Sequence, residues 1–157
     1  MSSRLTVTPA GDHLALAGAI DEHSDLLAIL DRAQGGHLAL DLSGITFINS
    51  LGVRDWIRLQ AQAQARGIVV ELRRVAEPIV HQLNMIIATR GASRVISFFA
   101  PYACDACGRE DSLVVDAVAN AAGLAKLQAP AQKCPECGAQ MAFNDFPERY
   151  FSFLTGS

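Results

Sequence analysis

Apolar and polar residues follow two different periods along the first hundred residues of the chain. In residues 5–20 they alternate around a Gly11–Asp12 turn, and this period of two predicts a β-hairpin. Short apolar segments that are typical of further strands follow at residues 37–42, 68–72 and 95–99.

Between these strands, apolar residues recur at helical spacing. The three segments are residues 24–34, 50–66 and 78–87. Ser24 and Ser50 stand where the first two helices would begin, and a serine hydroxyl can accept a hydrogen bond from an N–H two or three residues further on. We therefore predict both as N-caps, with residues 43–49 as a loop. Strands that alternate with helices predict the α/β class, as a mixed β-sheet packed with helices.

The four cysteines all lie after residue 100, at Cys104, Cys107, Cys134 and Cys137, in the pattern C-x2-C-x26-C-x2-C. Two-residue spacing lets both sulfurs of a pair bind one metal ion, and two such pairs complete a tetrahedron. A glycine follows each pair and suits the tight turn over the metal. The pattern predicts a small zinc-ribbon-like four-cysteine module with a structural Zn²⁺ ion, because four protein ligands leave no open position for catalysis.

Two other interpretations of the cysteines stay open. Disulfides are one, although a reducing compartment disfavours them. Iron is the other, since the paired CxxCG and CPxCG turns are also similar to those of rubredoxin-like electron carriers and a tetrahedral site of four sulfurs suits either metal. Residues 109–133 contain no aromatic residue, whereas rubredoxin-like domains pack several around the iron, so the sequence favours zinc.

The cysteines divide the chain into two predicted domains. Residues 1–100 form the α/β domain and residues 101–157 form the four-cysteine module, with the boundary near Pro101. The module ends in a short aromatic segment, with Pro147 suited to the first turn of a helix. We expect this terminal helix to cover the core of the module, because so small a unit needs every apolar contact that it can bury.

Composition narrows the choice of partners. The 157 residues are 50% hydrophobic and carry a net charge of −3, with 13 Lys plus Arg against 16 Asp plus Glu. This balance argues against binding to nucleic acid, and residues 104–137 are themselves acidic. No apolar run approaches the roughly 18 residues of a membrane span, so we expect no membrane insertion. Met1–Ala10 lacks the features of a signal peptide, and we expect a cytoplasmic protein.

One stretch of the first domain resembles a known family. The segments LALAGAIDEHSD (residues 14–25) and DLSGITFINSLG (residues 41–52) are similar to the STAS domain of anti-sigma factor antagonists. The resemblance covers roughly residues 5–99 and implies a STAS-like sheet and helices. It also implies a non-enzymatic adaptor whose partner is a kinase-like anti-sigma factor or another signalling component.

The same resemblance implies a site. In the family, the partner binds the loop and helix around a serine and phosphorylates that serine, which here is Ser50. The implied partner-binding residues are Asp21, Asn49, Ser50, Leu51, Gly52 and Arg54. The family usually has Asp before the serine, and Asn49 removes a negative charge that a kinase could use for recognition.

Other functions stay open at this point. Ser50 can be a helix cap and nothing more. A nucleic-acid- or nucleotide-binding regulator that uses the four-cysteine module, or a surface bearing Arg73, Arg74, Arg90 and Arg94, is the alternative class. A catalytic cluster at residues 21–23 lacks a positioned partner for a base, and the sequence has no GxxxxGK[ST] phosphate loop. We therefore expect no enzymatic activity.

Overall fold

A computed structural model of the protein describes residues 4–154. The outer ends of the two predicted domains, residues 1–3 and 155–157, lie outside the described part, as does the start of the segment considered for a signal peptide. Within residues 4–154, no helix combines the length and the apolar character needed to cross a bilayer.

The first sheet has five strands in the order β1-β2-β3-β4-β5. These are β1 (Thr6–Ala10), β2 (His13–Ile20), β3 (His37–Ile48), β4 (Val69–Arg73) and β5 (Arg94–Val95). β1 and β2 form the predicted antiparallel hairpin, and β2 to β5 run parallel. Leu38, Leu40 and Leu42 lie on one face of β3 and are buried, and Ala39 between them is buried as well.

The longer helices connect parallel strands of the first sheet, and the shorter helices belong to the cysteine-bearing half. They are α1 (Ser50–Ala65) and α2 (Glu77–Met85) in the first half, and the short α3 (Ala121–Ala125) and α4 (Pro147–Tyr150) later. Short 3-10 helices occupy Leu27–Arg32, Ile87–Thr89 and Ser152–Leu154. The mixed α/β class is therefore confirmed. Trp56, the single tryptophan, is buried on α1, where its indole N–H donates to the carbonyl oxygen of Thr89 at 2.8 Å.

Two sequence-based assignments in this half are wrong. Residues 24–34 form only the six-residue 3-10 helix, and Ser24 does not cap it. The Ser24 hydroxyl instead accepts from the Asp21 N–H (3.0 Å) and donates to the Ala19 carbonyl (3.3 Å). Residues 43–48 are not a loop, because β3 continues along β2 as far as Ile48. Two bulges interrupt the apolar alternation there and hide the strand in the sequence.

A second, antiparallel sheet carries the cysteines. Its order is β7-β6-β9-β8, formed by β6 (Ser97–Ala103), β7 (Glu110–Asp116), β8 (Gln132–Lys133) and β9 (Gln140–Phe143). The predicted strand at residues 95–99 is thus split between two sheets. The predicted boundary after residue 100 falls inside β6, so the second sheet begins at Ser97.

Buried residues of both sheets form one continuous hydrophobic core. The start of β6 is bonded to Val75, two residues after the end of β4, through Val75 N–H to Ser97 O (3.1 Å) and Phe99 N–H to Val75 O (2.8 Å). Its Phe98 is completely buried. β7 reaches α2, where the Ser112 hydroxyl donates to the Glu77 carboxylate. The four-cysteine module is consequently packed directly against the α/β half.

Candidate metal centre and the Ser50 corner

The two cysteine pairs lie in matching turns. In the first, the Cys104 N–H donates to Arg109 O at 2.8 Å and the Gly108 N–H donates to Cys104 O at 2.9 Å. The turn at residues 134–139 repeats both bonds, at 2.7 and 2.9 Å. The glycine in each turn has a positive φ (77° and 78°), which a residue with a Cβ adopts rarely. The C-x2-C-G spacing therefore builds the same local structure twice.

The turns bring all four sulfurs together, to within 4.8 Å of one another. The Sγ atoms of Cys104 and Cys137 are 3.5 Å apart, and those of Cys107 and Cys134 are 3.7 Å apart. Four sulfurs at about 2.3 Å from a central ion would be about 3.8 Å apart in a regular tetrahedron. All four are free cysteines without a disulfide, so the predicted ligand set is confirmed as a possible metal site.

The electrostatics of the four thiols also suit a cation. The backbone N–H of Cys137 lowers the pKa of the Cys134 thiol to about 7. At Cys107 the backbone N–H of Arg109 acts in the same direction, but desolvation and the neighbouring sulfurs outweigh it and raise the pKa to about 12. Four sulfurs so close cannot all carry negative charge alone, and a metal ion removes that conflict.

Arg109 links the two turns from outside, and the sequence analysis missed this role. Its guanidinium is 2.9 Å from the Asp111 carboxylate beside the first turn and 3.3 Å from Glu136 in the second. Asp111 raises the pKa of Arg109, which stays charged next to the sulfurs. Only its position directly after the first CxxCG could have suggested such a contact.

A second candidate site is the corner formed by residues 47–52, which we call the Ser50 corner. Ser50 is the first residue of α1 and is exposed, but the predicted N-cap role belongs to Asn49. Asn49 Oδ1 accepts from the Gly52 N–H at 2.8 Å. The Asn49 amide group donates to Glu22 at 2.8 Å, and the pKa of the Glu22 carboxyl is lowered as a result.

The start of α1 rests directly on the end of β2. Asn49 N–H donates to Ile20 O at 3.1 Å, and a Cβ placed on Gly52 would lie only 2.3 Å from that same oxygen. Gly52 is therefore required for the close approach of helix and strand. These contacts hold the Ser50 corner in one backbone conformation.

The remaining predicted partner-binding residues surround this corner. Asp21 is half-buried, and its carboxylate accepts from the His23 N–H at 2.9 Å, so Glu22 and not Asp21 contacts Asn49. Arg54 is exposed and pairs with Asp55 at 3.2 Å. Leu51 is 40% exposed and Phe47, which was not predicted, is 46% exposed. The exposed Ser50 is thus flanked in sequence by two exposed apolar side chains.

Two of the four arginines of the alternative nucleic-acid surface, Arg73 and Arg74, form ion pairs with carboxylates of this chain. Arg73 lies 3.1 Å from Asp12 and 3.3 Å from Glu71, and Arg74 lies 3.6 Å from Asp41. Each of these guanidinium groups therefore has a carboxylate within the chain, which weakens the case for phosphate binding.

Comparison of the sequence with models of protein families finds no match. Comparison with curated proteins finds none either. The STAS resemblance consequently depends on the motif in residues 14–52 and its spacing.

Proposed function

We propose that this protein is a non-enzymatic regulatory adaptor of the anti-sigma factor antagonist type. It docks a partner protein through the Ser50 corner, and it carries a structural zinc ion on Cys104, Cys107, Cys134 and Cys137. The observation that best supports docking is the exposure of Ser50, with Phe47 and Leu51 exposed on either side of it in the sequence. The contacts of Asn49 and Gly52 hold the backbone of this corner in place.

A fixed corner of this kind suits protein recognition. Exposed apolar side chains on a rigid element can enter a partner's surface without a large loss of conformational freedom. Phe47 lies one residue before the end of β3, where that strand is paired with β2, and Leu51 lies in the first turn of a sixteen-residue helix. Neither side chain needs a rearranged backbone to bind.

Phosphorylation of Ser50 would act as a switch at this site. A phosphate adds about −1.5 to −2 charges, and the N-terminus of a helix tolerates them, so the fold would survive. A partner packed over Phe47 and Leu51 would bury this dianion in a desolvated interface, and the affinity of the partner would fall as a result. A hundredfold loss of affinity requires only about 2.7 kcal/mol.

The four-cysteine set supports a structural metal. Four thiolates fill a tetrahedral shell and leave no position for substrate or water. Zn²⁺ would supply a cross-link between the two turns, and Arg109 would offset part of the negative charge of the complex. Zinc is preferred over iron because residues 109–133 lack aromatic side chains.

Capture of partners by variants tests the docking site. Wild type and Ser50→Ala should retain a partner from an extract of the source cells, and Ser50→Glu and Leu51→Ala should lose it. Thr8→Glu places the same charge on an exposed position of β1 and serves as the matched control. Identical partners for all five proteins would overturn the docking proposal.

Metal analysis tests the second half of the proposal. The purified chain should contain one zinc per molecule and no visible absorption, and Cys104→Ser should lose the metal. A red protein containing iron would instead support the electron-carrier alternative.

A further inference from the structure

The C-terminal segment (residues 144–154) lies across helix α2 and is fastened there by one side chain. Asn84 Nδ2 donates to Tyr150 O at 2.9 Å. Asn84 Oδ1 accepts from the Ser152 hydroxyl and from the Phe153 N–H, both at 2.9 Å. One amide group on α2 therefore holds three points of the segment.

The same segment covers an aromatic cluster. The ring centroids of Phe98 and Phe153 are 5.2 Å apart in an edge-to-face contact, and those of Phe143 and Phe151 are 4.8 Å apart and stacked. Phe151 is completely buried, and Phe153 is 7% exposed. Removal of the segment would expose Phe98 and this side of α2 to water.

Both cysteine turns are continuous with the strands that carry this cluster. β6 contains Phe98 and ends one residue before Cys104, and β9 starts three residues after Cys137 and contains Phe143. The two strands pair through only two residue pairs, 102 with 143 and 103 with 142. A contact of two residue pairs gives little stability by itself. A metal ion bound by the adjacent cysteines would hold the two strands together.

We infer that metal binding by the four cysteines fastens the C-terminal segment to helix α2, so that loss of the metal releases the segment and uncovers α2 and Phe98. The inference rests on the proposed metal centre. It extends the structural effect of the metal from the two cysteine turns to α2 in the α/β half. In small metal modules the free energy of metal binding is also free energy of folding. Here metal binding would order β9, and with it the C-terminal segment that directly follows β9 in the chain.

The release should be local. The start of β6 is bonded to Val75 independently of the metal. α1 and β1 to β4 contribute many buried residues to the common core, among them Trp56, Leu40 and Leu72. We therefore expect metal loss to loosen residues 104–154 and α2, and to leave α1 in place.

Hydrogen exchange of the full chain, zinc-loaded and after treatment with a chelator, tests the inference. Amides of residues 77–85 and 147–154 should exchange about tenfold faster or more without zinc, and those of residues 50–65 should be unchanged. An increase confined to residues 104–143 would overturn it.

Variants test the same link without touching the sulfurs. Asn84→Ala should keep one zinc per chain, yet its residues 77–85 and 147–154 should exchange as fast as in the metal-free wild type. Chelation should then add little at α2, because the link is already broken. Asn144→Ala, an exposed position after β9, is the matched control and should behave as wild type.

Two further measurements separate the possible failures. Tyr150→Phe removes only the hydroxyl that donates to Phe99 O, and it should give a smaller effect in the same direction if Asn84→Ala does not fold. Metal content is measured on every sample. Absence of bound metal overturns both the proposed centre and the inference, whereas bound metal with an α2 that is insensitive to chelation overturns the inference alone.

Discussion

The side chain of Asn49 accepts a hydrogen bond from the backbone N–H of Gly52 at 2.8 Å and so caps helix α1. The neighbouring Ser50 keeps its hydroxyl at the exposed surface. Asn49 therefore stabilises the start of the helix, whereas the adjacent Ser50 offers its hydroxyl to a partner.

Substitution of the two residues should separate these roles. Asn49→Ala is expected to lower the free energy of unfolding by about 1 kcal/mol, because the Gly52 N–H loses its partner. Ser50→Ala should change it by less than about 0.5 kcal/mol. Urea unfolding followed by circular dichroism measures both, and a larger loss for Ser50→Ala would show that the serine is the cap.

Gly52 should tolerate no side chain. The Cβ of Gly52→Ala would meet Ile20 O at 2.3 Å, and the overpacking is expected to cost about 3 kcal/mol of stability. Gly123→Ala in α3 is the control, since its Cβ would lie 3.3 Å from Gln128 O, and it should stay within about 1 kcal/mol of wild type. Equal thermal stability of the two variants would contradict the close contact between α1 and β2.

Asp12 should make a contribution to stability that depends on pH. The guanidinium of Arg73, helped by His13, lowers the pKa of Asp12 from 3.8 to about 2. Because the folded state has the lower pKa, the contribution is fully present above about pH 4 and is lost as the pH falls toward 2.

The unfolding free energies of wild type and Asp12→Asn should thus converge as the pH falls from about 4 to about 2. In an Arg73→Ala background most of this pH dependence should disappear. A difference that does not change with pH would contradict the ion pair.

Arg109 should strengthen metal binding from outside the ligand set. Arg109→Ala removes a cation beside the sulfurs and the link between Asp111 and Glu136, and zinc affinity should fall about tenfold. Competition with a chromophoric chelator measures the change. Arg58→Ala, which removes a comparable surface pair with Asp55 on α1, should leave the affinity unaltered.

Local patterns predicted the features that depend on neighbours in sequence. The β1–β2 hairpin follows from strict alternation around a turn, and each cysteine turn follows from the local C-x2-C-G pattern. The helix start at residue 50 was also correct, but the choice of cap was not. Asn49 and Ser50 are both good N-cap residues, and only the fit of α1 against Ile20 decides between them.

Contacts between distant residues could not be predicted in this way. Arg109 contacts Glu136 from 27 positions away, and Asn84 contacts Tyr150 from 66 positions away, with no periodic signal at either end. The extension of β3 to Ile48 was hidden by bulges whose position depends on β2. The STAS resemblance and the identity of the partner stay predictions.

Because β6 crosses the predicted domain boundary, the chain cannot be truncated at that boundary, by cloning or by gene rearrangement, without cutting the strand. A cut between Ala100 and Pro101 would pass through the middle of that strand and leave Phe98 on a fragment without the aromatic side chains that cover it. The fragment of residues 1–100 should then aggregate or be degraded by proteases. A cysteine-bearing cassette transferable to another protein would have to begin before Ser97.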